Sequence, residues 1–421
     1  MLKHLVDKIT KKGSFSMKAV GTSMLPLLQP EDIIQYRKVA FENIRENDIL
    51  LVKKKSLMFT HRVIYKTPTY LVTKGDNNIL SDGNIYPRHI LAKAYQIKRK
   101  NMIINITDLF LTQSFMYLTE INKVVAVYKK AGLDFLILKG LPLHLYYEKG
   151  QYPKRMYADC DILVDIQKAD KAHRLLLKLG YTKSTRFFSE NFKRLKNKKI
   201  EDTYVKKVAG FPVVFDLHYE VVFMMTQLGK LDSLYPQASI ESLTRLFLQE
   251  KVEIVIDNKK YPILSQKHLF LYLALHFFHH NYLGVFRLSL INSIIRNTKI
   301  KHSMYKDMTH IIDKYRLNGY IYPVFVLLRK YFQTPIPQDF IDMIKPHKAQ
   351  QIYARQFFTS NIFNDETHIQ GSIHRFKHLF FLSPGHILKK GLIFFYPTVI
   401  YSCFWILQKK FASYAFPHHK K

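Results

Sequence analysis

A change of hydrophobic period near Arg99 constrains the fold of this chain more than any other feature. Before it, the segments "DIIQYRKV", "DILLVKKK", "LMFTHRVIY", "YLVTKG" and "ILAKAYQIKR" alternate apolar and polar residues, with charged turns between them. A period of two places alternate side chains on opposite faces of a strand, and the close spacing predicts a small, coiled all-β domain. From about Ile104 to Gly132 the apolar residues recur at helical spacing. Strand-like segments ("DFLILKG", "CDILVDI", "TYVKKVAGFPVVFDLHYEVV") then mix with the helical "KADKAHRLLLKLG", which indicates an α/β or α+β arrangement. From about Ser265 onward nearly everything has the spacing of helix. With 421 residues, 48% of them hydrophobic, the chain can build more than one core. The expected organisation is a multidomain α+β protein: a β-domain over 1–99, an α/β core over 100–260, a helical part over 261–380, and a basic apolar tail over 381–421.

Only two cysteines are present, Cys160 and Cys403, so there is no disulfide framework or cysteine zinc site, as suits a reducing compartment. The net charge of +33 fits either an anionic partner or a lysine-solvated surface. No recognition helix or zinc finger sharpens it towards nucleic acid, which is not an expected partner. The start of the chain, "MLKHLVDKITKKGSFSMK", is charged, and neither a signal peptide nor an anchor is expected there. Near the other end, the apolar stretch from Gly391 to Leu407 is short for a span and is interrupted by Pro397. Flanking lysines and the aromatics Tyr396, Tyr401 and Trp405 suit a segment lying on an anionic membrane surface, with a buried terminal helix as the alternative. The expected location is cytoplasmic, peripheral at the inner face of the membrane.

Two groups of residues carry chemistry. In the β-domain, "AVGTSMLPLLQPED" contains Ser23, "FTHRVIY" contains His61, and "YLVTKGDNNILSD" contains Asp76 and Asp82. A serine becomes a nucleophile when a base accepts its proton and a third group orients that base, so Ser23, His61 and one of the two aspartates qualify. The motifs "GTSMLPLL", "ENDILLV", "THRVI" and "TKGDNN…D", in this order over roughly residues 15 to 98, resemble the type I signal peptidases of the archaeal and endoplasmic-reticulum branch, relatives of the LexA-type peptidases. The resemblance implies Ser23 as nucleophile, its backbone N–H in the oxyanion hole, His61 as general base and Asp82 as its orienting partner. Asp76 would hold the turn, the substrate would be a peptide or protein, and no cofactor would be needed. Two departures stand out: Glu31-Asp32 and Asn47-Asp48 replace the family's Gly-Asp pairs, and no membrane anchor precedes the serine.

The second group lies in "LKGLPLHLYYEKGQYPKRMYADCDILV" and "PVVFDLHYE". Asp159 and Asp161 alternate around Cys160, so both point to one face of a strand, with Asp216 arriving from another strand. Adjacent carboxylates repel unless a cation sits between them, and a divalent metal carrying phosphates does this by oxygen ligation. Lys139-Gly140 ends a strand and opens a helix, whose free N–H groups can receive phosphate. These residues, with Arg155 and His218, resemble the nucleotidyltransferase superfamily, most closely a bacterial branch with a "KG…R…DxDLLV…DLH" layout, and the likeness extends through "LALHFFHHNYLGVFRLSLINSII" to about residue 380. It implies magnesium bound by Asp159, Asp161 and Asp216, and a nucleoside triphosphate steadied by Lys139, Gly140 and Arg155. Asp216 would complete the site or activate an acceptor hydroxyl. Here too there are departures, Leu141 after Gly140 and Asn292 at an expected acidic position.

His276 and His280 have zinc-ligand spacing, but no acid lies between them and the surroundings are aromatic, so they read as a packed helix. The combined expectation is a bifunctional enzyme, a nucleotidyltransferase joined to a serine peptidase-like domain. The alternatives are peptide processing as the main activity, or inactive binding modules on a membrane-docked scaffold.

Overall fold

The computed structural model describes residues 13–404, apart from 154–155, 185–199, 209–210, 227–230, 299, 398 and 402–403. It is mixed α+β, with its sheets in the N-terminal part and helices through the C-terminal half.

The first sheet contains β1 (Ser14–Lys18), β2 (Ile33–Arg37), β3 (Ile49–Lys54), β4 (Leu57–Lys66), β5 (Leu71–Lys74), β6 (Asn84–Ile85), β7 (Ile90–Arg99) and β8 (Met102–Asn105). The order is β1-β2-β7-β3-β4-β5-β6, with β8 paired to β7. Its alternation is used on both faces. Ile49 and Leu51 enter one core with Ile34, Tyr36 and Ile97, whereas Leu50 and Val52 enter another with Val63, Leu71 and Ile85. A sheet buried on both sides in this way is coiled on itself, and its loops then carry the exposed chemistry.

Helix α1 (Ile106–Lys130) leaves this sheet and joins the two halves of the molecule. Its first turns, through Phe110, pack in the β-domain core, and its later residues Tyr117, Ile121 and Tyr128 pack in the large second core. That core surrounds a sheet of β9 (Phe135–Lys139), β10 (Cys160–Val164), β11 (Thr182–Lys183), β12 (Glu201–Val208), β13 (Phe211–His218), β14 (Val252–Ile256) and β15 (Lys259–Ile263), in the order β11-β12-β13-β10-β9-β15-β14. Between its strands run α2 (Leu141–Tyr147), α3 (Ala169–Lys178) and α4 (Gln237–Gln249). Three central strands set the second site. β10 runs parallel to β13 with Asp161 opposite Asp216, and antiparallel to β9 with Asp161 opposite Lys139, so the three charged residues stand abreast.

The helical half contains α5 (Gln266–His279), α6 (Val285–Asn297), α7 (His302–Lys314), α8 (Asn318–Phe332), α9 (Gln338–Met343), α10 (Lys348–Thr359), α11 (His368–Leu382) and α12 (Ile387–Gly391). Helix α5 is buried on nearly every side, from His268 to Phe278, as expected of a helix apolar all round. The β-domain docks on this half. Tyr65 sits among Tyr331, Phe332 and Phe363 and donates to the Tyr331 carbonyl at 2.8 Å. The loop between β5 and β6 is clasped from far along the chain: Asn364 Oδ1 accepts from Ser81 N and Oγ, both at 3.0 Å, and Asp365 N donates to the Ile79 carbonyl at 2.8 Å. Lys74 pairs with Asp365 beside it.

Some expectations need correction. Strands β1, β8 and the hairpin β14–β15 were not anticipated, and Asp159 precedes its strand instead of lying within it. The apolar tail is no single helix: α12 ends at Gly391, a short 3₁₀ turn spans Leu392–Phe395, and Tyr396 is extended ahead of Pro397. Among the described residues, no helix is long and apolar enough to cross a membrane. Trp405 and the rest of the tail lie outside the described residues.

Two candidate active sites

In the β-domain the structure brings Ser23, His61 and Asp82 into one relay. His61 is buried on β4 with its Nε2 3.0 Å from Ser23 Oγ and its Nδ1 2.8 Å from Asp82 Oδ2. Asp82 also accepts from Thr73 Oγ1 at 2.7 Å, and the Phe59 ring packs on the imidazole with centroids 4.8 Å apart. Both nitrogens of the ring are thus engaged and its plane is held, the arrangement a serine base requires. Asp76 does different work. It forms a two-pronged ion pair with Arg62, 2.7 Å on each arm, so the choice between the two aspartates falls on Asp82. Gly75 permits the turn to close on Ser23, because a Cβ there would lie 2.6 Å from the Ser23 carbonyl oxygen, and that oxygen accepts from Asn77 N at 2.8 Å. Ser23 itself is half-buried between exposed Thr22 and buried Met24.

The two departures from Gly-Asp have a structural counterpart. Glu31 and Asn47 have φ of 78° and 71°, the left-handed region that glycine adopts freely. The aspartates that follow are anchors: Asp32 pairs with Arg99 at 2.7 and 2.8 Å, and Asp48 with Lys93 at 2.6 Å.

The second site gathers Asp159, Asp161 and Asp216, each offering a carboxylate oxygen within 4.8 Å of the others. Lys139 lies between the first two, 3.3 Å from Asp159 Oδ2 and 3.2 Å from Asp161 Oδ2. Asp161 is 2% exposed; it accepts from Tyr272 at 3.1 Å, and His218 Nε2 is 3.6 Å away. Burial alone would push the Asp161 carboxyl up, but Lys139 and His218 outweigh it and hold the group below its ordinary value. Asp216 receives Thr203 Oγ1 at 2.7 Å. Burial, then the charges of Asp161 and Glu201, raise Asp216 to about 7. For His218 the carboxylate of Asp161 overcomes burial and raises it to about 9.

A hard divalent cation fits this set. The donors are all oxygens, and Asp161 Oδ1 is buried without a hydrogen-bond partner among the described residues. Gly140 has φ 138° and a Cβ there would lie 3.1 Å from Cys160 Sγ, so glycine is what lets β9 turn into α2 against β10. Arg155 lies outside the described residues. Asn292 accepts from Thr334 at 2.8 Å and Arg296 at 3.1 Å, a structural role. His276 and His280 meet edge to face 4.8 Å apart, and burial pushes both well below the usual histidine range. Thr73, Thr203 and Tyr272 were missed from sequence. The threonines carry only a strand position as signal, and Tyr272 is hidden in the apolar run of α5.

Residues 101–308, just under half of the chain, match the model of a family described as uncharacterised nucleotidyltransferase. The match supports a nucleotidyltransferase domain over that span, and with it an enzyme whose substrates include a nucleoside triphosphate. It takes in Lys139, Asp159, Asp161 and Asp216 and begins only after Ser23, His61 and Asp82. No curated protein and no solved structure matches the chain.

Proposed function

We propose that the acidic site transfers a nucleotidyl group from a nucleoside triphosphate to an acceptor hydroxyl, with magnesium held by Asp159, Asp161 and Asp216. The observation that carries this reading is the convergence of three carboxylates within 4.8 Å around an unpartnered, buried Asp161 Oδ1. When bound, the ion would neutralise the triphosphate and polarise the phosphorus under attack. Lys139 balances the carboxylates in the free enzyme and would turn to the triphosphate when the ion takes its place. Thr203 and Tyr272 orient Asp216 and Asp161. The deciding experiment is magnesium-dependent binding of each nucleoside triphosphate to the wild type and to Asp161→Asn. Binding that requires both the metal and Asp161 supports the reading, and binding indifferent to either overturns it.

A second activity is favoured by a specific observation, the 3.0 and 2.8 Å contacts that join Ser23, His61 and Asp82. In this reading His61 takes the Ser23 proton as Oγ attacks a peptide or protein carbonyl, and Asp82 stabilises the imidazolium that forms. The substrate class follows from the resemblance to signal peptidases. A third element, peripheral docking on an anionic membrane, rests on Leu388 and Phe395, each 77% exposed, with exposed Lys389 beside Leu388; Lys390 is buried and donates to the Ser383 carbonyl.

A further inference from the structure

Beside His218 the chain leaves a small cavity that opens to solvent, with about 360 Å³ of free space when its open mouth is included. Two side chains that reach it carry a buried nitrogen with no hydrogen-bond partner among the described residues, His279 Nδ1 and Arg375 Nε, whereas His218 presents its Nε2 to Asp161. Its apolar wall includes Val222, Phe223 and Met224, and the Phe223 ring lies 4.6 Å from that of His279. Buried polar nitrogens are rarely left without partners, so two around one cavity point to something that satisfies them.

The character of that ligand follows from the charges. The guanidinium of Arg375 forms no ion pair among the described residues. Glu366, the acid that acts on it most strongly, is engaged with His374 and with Asn281, the latter at 2.6 Å. Burial lowers Arg375 only to about 10, so it stays cationic at neutral pH. Two acids also line the cavity. Glu220 is satisfied by Thr226 at 2.6 Å and Gln237 at 3.1 Å, and Glu201 lies on the outer side, 3.8 Å from His218 Nδ1. The donors nearest the apolar wall therefore suit an anion attached to a small apolar body. Arg375, on α11, lies beyond the end of the family match at residue 308, so this feature belongs to this chain's own C-terminal half.

We propose that this cavity is the acceptor subsite of the acidic centre, taking a small molecule that carries a phosphate or carboxylate on Arg375 and His279 and a hydroxyl on the His218 side. The inference rests on the nucleotidyl-transfer reading. In the reaction the acceptor oxygen forms a bond to the α-phosphorus, and the bond from that phosphorus to the bridging oxygen breaks. Pyrophosphate leaves with the electron pair, and the hydroxyl proton passes to a site carboxylate and then to water.

The test is calorimetric titration of the full chain with phenyl phosphate and with benzoate, using wild type, Arg375→Gln, His279→Gln and Asp161→Asn. At least one anion should bind the wild type one to one, each cavity variant should weaken it tenfold or more, and Asp161→Asn should retain it. The arm that binds identifies phosphate or carboxylate as the anion. If Arg375→Gln does not fold, His279→Gln carries the same expectation. The inference is overturned if neither anion binds, if the cavity variants bind as tightly as wild type, or if a magnesium–nucleotide competes the anion away. Nucleotide binding sensitive to Asp161 but with no anion site refutes the subsite alone, whereas an anion site without nucleotide binding refutes the transferase reading.

Discussion

Replacing Lys139 by methionine should uncouple the stability of the acidic site from its protein partner and hand that stability to the metal. Lys139 Nζ lies 3.2 Å from Asp161 and 3.3 Å from Asp159, and methionine keeps much of its length while removing the charge. At an effective dielectric of about 20, each contact is worth roughly 5 kcal/mol of gross attraction. Two effects reduce the net figure. The desolvation cost of the ammonium disappears with it, and a carboxylate left unpaired can take up a proton, which at pH 7 caps the loss at about 4 kcal/mol. Asp159 is 36% exposed, so its share is further screened. A net local loss of about 3 kcal/mol is expected in EDTA. Because unfolding of a chain of this size need not be two-state, the assay is hydrogen exchange at the amides of Phe135–Lys139 and Cys160–Val164. Magnesium at a hundred times its dissociation constant should restore about 2.7 kcal/mol in the variant. The gain in wild type should be smaller, since there the ion displaces an ammonium. Unchanged protection in EDTA, or an equal response to magnesium in both proteins, would refute the claim that Lys139 stands in for the ion.

Further outcomes are expected. Asp82→Asn should slow labelling of Ser23 by a fluorophosphonate roughly 10²–10⁴-fold, because His61 loses the acceptor that fixes its tautomer; labelling at the wild-type rate would sink the relay. Glu31→Gly should stabilise the β-domain by about 0.5–1 kcal/mol, the relief of a left-handed φ less the added freedom of the unfolded chain, as read from urea unfolding; its exposed pair with Lys18 contributes little. His268 is fully buried and burial lowers it to about 4. The unfolded state therefore binds the extra proton between about 6.5 and 4, and stability complete above that window declines through it by on the order of 3 kcal/mol. His268→Gln should flatten that part of the pH–stability curve. Serine at both Leu388 and Phe395 should weaken sedimentation with phosphatidylglycerol vesicles at least tenfold, since each fully buried apolar side chain is worth roughly 1.5–3 kcal/mol; equal sedimentation would remove the membrane reading.

The acidic site was legible because its parts are local. "DCD" announces two carboxylates on one face, and "FDLH" a third on a strand of matching character, although the parallel register that sets Asp161 beside Asp216 is a tertiary fact. Ser23, His61 and Asp82 could be ordered from their motifs, but Asp76 and Asp82 were separable only once Arg62 was seen to occupy Asp76. Strand β1, "SFSMK", went unread because its serines blur the alternation and its pairing partner lies in β2. The hairpin β14–β15 did carry a signal. Asp257 and Asn258 both have positive φ, the two-residue turn that matches strand twist, and apolar alternation flanks them. The cavity beside His218 had no signal at all, since His218, His279 and Arg375 meet only through the packing of β13, α5 and α11.

The clasp on the loop before Asp82 has a consequence for synthesis. Ser81 is held by Asn364, a separation of 283 residues, and Ile79 by Asp365. At 5–20 residues per second, the ribosome needs roughly 15–60 s to make the intervening chain. Through that interval the β-domain has emerged while the approach to Asp82 lacks its downstream tether. That tether is thus set last, when nearly the whole chain is out. If the proposed peptidase activity holds, this order would keep the relay restrained while its own nascent chain is still unfolded beside it.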